Sequence, residues 1–287
     1  MVRVAHILNA FALALLLMSG LQIFNAHPAL YWGERSDFER PILSISNALT
    51  AEGRPLGITS VFGGRFETTG VLGWSRLNGR PVPRAFPGWI TIPAVQDLAT
   101  GRLWHFSVAW LFVLNGIMYL GYSVASRHFR HDLLPRGPEW RDVERVLAAP
   151  LKQHTEPGSS PHYSVVQKLA YVFVTVVLAP LTVLTGLALS PAIGAAMPWL
   201  IAALGGRQSA RTLHFALTWF LLFFVLVHVG MVVLAGVLGA GLFNSIRSMI
   251  TGWYAVPAAT IGKAAAEETG AARTGASAAH ATGEDES

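Results

Sequence analysis

The chain of 287 residues contains no cysteine. Iron–sulfur clusters, thioether-linked c-type haem and structural disulfides are therefore excluded, and any redox cofactor must be held by other side chains. Charge is sparse as well: Asp, Glu, Lys and Arg make up 13% of the residues against 52% hydrophobic, and the formal net charge is only +5. The basic residues are spread along connecting segments without a dense stripe, so nucleic acid is a poor partner for this sequence and membrane lipid a better one. Four long apolar runs carry no Asp or Glu at all. An intramembrane proton relay needs such carboxylates, which weighs against a transporter.

The apolar runs cover about 4–24, 103–125, 165–189 and 212–236, each close to the roughly 20 residues that cross a bilayer as a helix. The first is longer than the core of a secretory signal and is read as a span. The expected fold is an all-α integral membrane protein, a four-helix transmembrane bundle forming one domain over 1–253. A long polar loop, 25–102, separates helices 1 and 2, and a tail rich in Ala, Gly, Thr and Glu, 254–287, reads as disordered. Within the loop, 41–51 is compatible with a short helix and 62–84 has the Gly and Pro punctuation of turns or a hairpin. Its Trp32, Trp74 and Trp89 suggest a folded cap at the membrane interface. Part of the polar segment 126–168 reads as an amphipathic helix lying at the interface, and the stretch 244–253 as an interfacial helix. Pro180 is expected to kink the third span, and Thr185-Gly186 offers a small surface for a flat ring or a neighbouring helix.

Histidine is what the spans do contain. His214 and His228 lie in one run with nothing charged between them. Their separation of 14 residues is a helical rise of roughly 21 Å on nearly one face. An ionisable group inside a membrane helix is a functional candidate by default, and paired imidazoles on facing helices hold a flat iron porphyrin. Spans joined in order alternate in direction, so the ends near Phe24, Leu103, Leu189 and Thr212 share one side. His105 and His214 each follow an arginine, Arg102 and Arg211, by three residues at that side. His6 and His228 both count to roughly 25 Å from it. The four histidines thus form two level pairs, His105 with His214 and His6 with His228, each suited to one haem. Arg102, Arg207 and Arg211 are placed to pair with the propionates of the first, and Arg3 with those of the second. His128, His131, His154 and His162 fall in polar sequence and read as solvated. Eight basic residues near span ends on the side of the termini, against six on the other, favour cytoplasmic termini and an external 25–102 loop.

The segments RVAHILNAFALALLLMSGLQIF, GRLWHFSVAWLFVLNGIMYL and GGRQSARTLHFALTWFLLFFVLVHV resemble the prokaryotic cytochrome b561 and nickel-hydrogenase b-type cytochrome superfamily over about residues 1–253. Within it they look most like the thiosulfate-reductase-type cytochrome b subunits that accompany periplasmic molybdopterin-dependent oxidoreductases. The resemblance implies an electron-transfer subunit in a bacterial inner membrane, with two non-covalent b-type haems, ligands at His6, His105, His214 and His228, exchange with quinone, and a soluble redox partner. Hydrogenase cytochromes of this kind usually have a fifth span; the four found here weaken that alternative. A membrane anchor that carries no electrons is the other rival.

Overall fold

The computed structural model describes residues 1–77, 79–134 and 165–238, together with Arg247 and Thr251. The expected interfacial helix within 126–168 lies mostly outside the described residues, as do nearly all of 244–253 and the whole of the tail 254–287. Contacts divide the chain into two units, one of Met1–Pro135 with Gln167–Phe224 and one of Arg136–Val166 with Val225–Ser287.

The helices, in order, are α1 (Val2–Ala26), α2 (Leu98–Ala125), α3 (Val165–Leu189), the short α4 (Pro191–Ala196) and α5 (Pro198–Ala203), and α6 (Arg207–Leu238). Four of them, α1, α2, α3 and α6, are long and apolar enough to cross a membrane. Their outward surfaces are apolar: Phe11, Trp110, Leu114, Ile117, Phe220 and Phe223 are all exposed. A soluble protein does not leave so continuous an apolar surface open to water; lipid covers it. In the second unit the last turns of α6 repeat the pattern, with Leu226, Val227 and Val229 exposed.

Polar side chains fix how the helices of the first unit meet. On α2, the buried Asn115 donates to the Ala5 carbonyl at 2.8 Å and to Asn9 Oδ1 at 2.7 Å, tying it to α1. Phe24 of α1 stacks on Phe215 of α6 with ring centres 4.7 Å apart, and Tyr171 of α3 meets Phe224 edge-on. Inside α3 the turn Phe173–Leu178 is π-helical, directly before Pro180. Proline cannot donate to the carbonyl four residues back and its ring crowds that carbonyl; a wider turn relieves both. The kink expected from Pro180 takes this form.

The segment between α1 and α2 is where the structure departs from expectation. It holds six short strands: β1 (Ala29–Leu30), β2 (Leu43–Leu49), β3 (Pro55–Val61), β4 (Gly64–Glu67), β5 (Trp74–Leu77) and β6 (Arg80–Pro83). The first four form an antiparallel sheet in sequential order and the last two a hairpin. Residues 41–51, compatible with a helix in the sequence, form β2 instead, paired in register from Leu43 opposite Val61 to Leu49 opposite Pro55. Pairing decides it: all seven residues of β2 are matched one to one with β3, and Ile45 among them turns into the apolar core.

This β insert is locked to the C-terminal end of α1 and the N-terminal end of α6. Arg84 is buried and donates to Gln22 Oε1 of α1, and to Thr91 Oγ1 at 2.7 Å. Asn25 exchanges two hydrogen bonds with the backbone of Phe86, at 2.7 and 3.1 Å. Leu21, Phe24, Leu30, Ile45, Ala85 and Phe86 close a common apolar core. The first amides of α6 are satisfied by the insert too: Gly33 accepts from the N–H groups of Gln208 and Ser209 at 3.0 and 3.1 Å, and the Glu34 carboxylate accepts from Arg207 N–H at 3.1 Å. A helix start otherwise leaves such donors unpaired, and a carboxylate there is favoured by the helix dipole. Gly206, at φ +108°, lets the two backbones approach; a Cβ there would lie 2.6 Å from the Gly33 carbonyl.

Candidate functional site

His105 stands on α2 and His214 on α6, each seven residues beyond the first residue of its helix. The structure brings them together as the alternation of spans requires: their ring centres are 6.2 Å apart and the ring planes cross at 78°.

Neither ring is held by chance. The Nδ1 of His214 lies 3.0 Å from the carbonyl of Thr182 and 3.1 Å from Thr185 Oγ1. A carbonyl only accepts, so Nδ1 of His214 carries the proton, and its Nε2 presents a free lone pair. The Thr185 hydroxyl directs its own proton to the Leu181 and Thr182 carbonyls, both at 2.9 Å. It therefore accepts from the imidazole. On the other side a similar device recurs: His105 Nδ1 lies 3.1 Å from Ser19 Oγ. Ser19 Oγ donates to the Leu15 carbonyl at 2.6 Å. Its lone pairs face the imidazole, and His105 too is left with a free Nε2. A glycine follows each hydroxyl residue. A Cβ on Gly20 would come within 3.4 Å of His105 Cε1, and one on Gly186 within 3.1 Å of His214 Cε1.

The spacing fits one metal between the two rings. Imidazole nitrogen binds a first-row metal at about 2 Å, and the ring centre lies roughly 1 Å behind the nitrogen, so two trans imidazoles have centres roughly 6 Å apart. Among the described residues there is no group of three or more His, Cys, Asp or Glu that would complete a bare-ion site. Two imidazoles and no third protein ligand suit a planar macrocycle that brings its own four nitrogens.

The arginines stand around this pair. Arg211, one turn before His214, lies over the Phe24 ring at 5.7 Å and donates to the His27 carbonyl. Arg102, one turn before His105, is exposed with its guanidinium 5.6 Å from the Phe106 ring centre. Arg207 reaches the Leu189 carbonyl at 3.4 Å. Among the described residues the salt bridge is Arg54 with Glu52, far along the chain in the insert. At the head of α6 sits one group not singled out from sequence, His27, whose Nε2 is buried without a hydrogen-bond partner. Burial, and then the Arg211 charge, hold its pKa below the usual imidazole value. His6 is exposed on α1 in the first unit, with Arg3 exposed one turn before it; His228 is half-buried on α6 in the second unit.

The two hydroxyls, Ser19 and Thr185, were not legible as ligand partners in the sequence, although Thr185-Gly186 was visible as a small surface. The signal that marks them is a repeat: a hydroxyl residue followed by glycine near the end of the membrane-spanning helix that precedes each of the spans of His105 and His214.

A sequence profile of the family described as "Prokaryotic cytochrome b561" matches residues 1–252. A protein of Azospira oryzae named "Putative protein-methionine-sulfoxide reductase subunit YedZ1" is 32% identical over 163 residues, which is 56% of this chain and 79% of that protein. No solved structure matches the chain.

Proposed function

This chain belongs to the prokaryotic cytochrome b561 family, and on that premise we propose that it is a diheme cytochrome carrying electrons between quinone and an oxidoreductase outside the cytoplasmic membrane. A multi-pass prokaryotic membrane protein that binds b-type haem and serves electron transport is what membership itself gives. The observation that carries the reading further is the His105–His214 pair, 6.2 Å between ring centres with both Nε2 lone pairs free.

Bound there, haem supplies a one-electron ferric/ferrous couple inside the membrane. The protein does the rest. His105 and His214 would hold the iron of the first haem, and Arg102, Arg207 and Arg211 would pair with its propionates. His6 and His228 would hold the second, with Arg3 near its propionates; this pair rests on the alternation of the spans and on the helical rise that takes both histidines roughly 25 Å from the side of Phe24 and Arg211. Quinone would exchange near His6 and His228, on the side of the termini.

The partner is read from three supports. The relative from Azospira oryzae is named as a reductase subunit, the sequence resembles subunits that accompany molybdopterin-dependent enzymes, and a folded insert stands at the same end of the helices as the first haem. An external, periplasmic molybdopterin-dependent oxidoreductase docked on the insert accounts for all three. The excess of basic residues near span ends puts the termini in the cytoplasm and the protein in a bacterial inner membrane. Anaerobic mixing of the purified holoprotein with a quinol tests the quinone half of this reading. The reduced b-type absorption bands should appear on mixing, as they do with dithionite; bands raised by dithionite but never by quinol would overturn it.

A further inference from the structure

The two cradles around the histidines are the same object built twice. In α1 the hydroxyl of Ser19 and the bare backbone of Gly20 face His105; in α3 the hydroxyl of Thr185 and Gly186 face His214, joined there by the carbonyl of Thr182. The shared offsets are identical: hydroxyl at i, glycine at i+1. Each hydroxyl gives its proton to its own helix, through the carbonyl at i−4. Ser and Thr within helices commonly do this, and it ordinarily ends their role. Here it leaves an oriented lone pair aimed at an imidazole N–H.

We propose that Ser19 and Thr185 are positioning residues for the first haem, which lock the His105 and His214 planes nearly perpendicular and set the electronic character of that haem. This rests on the reading that His105 and His214 are its ligands. An acceptor on each Nδ1–H, the Ser19 hydroxyl for His105 and the Thr185 hydroxyl with the Thr182 carbonyl for His214, sets the ring's tautomer and restrains its rotation, and the bare glycine beside each hydroxyl leaves the room that the ring occupies. The 78° crossing of the planes follows from the two cradles standing on different helices. Acceptors on Nδ1–H make the imidazole a stronger donor at Nε2 and favour the ferric state, so they hold the potential down. Crossed imidazole planes leave the ferric d orbitals nearly degenerate, and such a low-spin centre shows a single strongly anisotropic EPR feature in place of the three-line pattern of parallel planes.

The test uses the full-length holoprotein, with haem counted per chain, low-temperature EPR of the oxidised form and a redox titration. The signal that disappears in His105→Ala belongs to this haem. In the unmodified protein that signal should be the strongly anisotropic type. Ser19→Ala and Thr185→Ala should keep their haem, move the signal toward the three-line pattern and raise the midpoint potential, while Thr185→Ser, which keeps the hydroxyl, should behave like the parent. A three-line signal in the parent protein overturns the proposal even where a variant fails to accumulate. So do alanine variants that keep both the signal and the potential. A full haem count in both His105→Ala and His214→Ala instead overturns the ligand assignment beneath it.

Discussion

An imidazole in an apolar helix is stable there only when its N–H has an acceptor and its lone pair a use. His105 and His214 meet the first condition within the protein, through Ser19 and through the Thr182 carbonyl with Thr185, and on the proposed reading haem iron would meet the second. His27, just past the end of α1, is a different case. Burial first and Arg211 second lower its pKa from 6.5, with the buried Tyr31 ring 5.7 Å away. As pH falls the unfolded chain takes up this proton before the folded one does. His27 therefore contributes stability above about pH 6.5 that is lost as pH drops through its folded value. The melting temperature in detergent should fall between about pH 7.5 and pH 5, and by less in His27→Gln. Equal falls in the two proteins would mean that His27 is not kept neutral by the fold.

At the scale of elements, glycine shows how local the design of the site is. Gly186 and Gly116 are both glycines inside membrane helices, alike in the sequence. A side chain on Gly186 meets His214 at 3.1 Å, whereas one on Gly116 meets nothing within 4 Å. Gly186→Ala should lower the haem bound per chain, and Gly116→Ala should leave it unchanged; the pyridine haemochrome assay reads both, and an equal loss in the two would remove the special role of Gly186. The same contrast explains what the sequence made legible. Spans, their order and the meeting of His105 with His214 follow from hydropathy, alternation of direction and a fixed helical rise, all properties of the chain alone. Hydroxyls that serve a neighbouring helix follow none of these rules, because Ser19 and Thr185 look like any hydroxyl bonded back to its own turn. In the insert, 41–51 has no clean period of its own, and Ile45 is its one buried side chain. Pairing with β3 resolved it as a strand.

For the molecule as a whole, the β insert and the His105–His214 pair share one end of the helices, since Arg84 and Asn25 tie the insert to α1 and Gly33 with Glu34 caps the start of α6. On the proposed reading, an electron entering or leaving at that end would be exchanged beneath a folded surface. Because the chain has no cysteine, its orientation is open to a background-free test. In spheroplasts, Arg65→Cys, exposed on β4, should react with a membrane-impermeant maleimide from the outside, and labelling only after lysis would reverse the assigned topology.

The central claim is that His105 and His214 hold one b-type haem and His6 and His228 another. It is tested most directly by the dithionite-reduced minus oxidised spectrum of the purified protein, with extracted haem counted per chain. Two non-covalent b-type haems are expected, falling to one in His214→Ala, whose first site is lost, and to one in His6→Ala, whose second is lost. A folded His214→Ala protein that still carries both haems would contradict the claim outright.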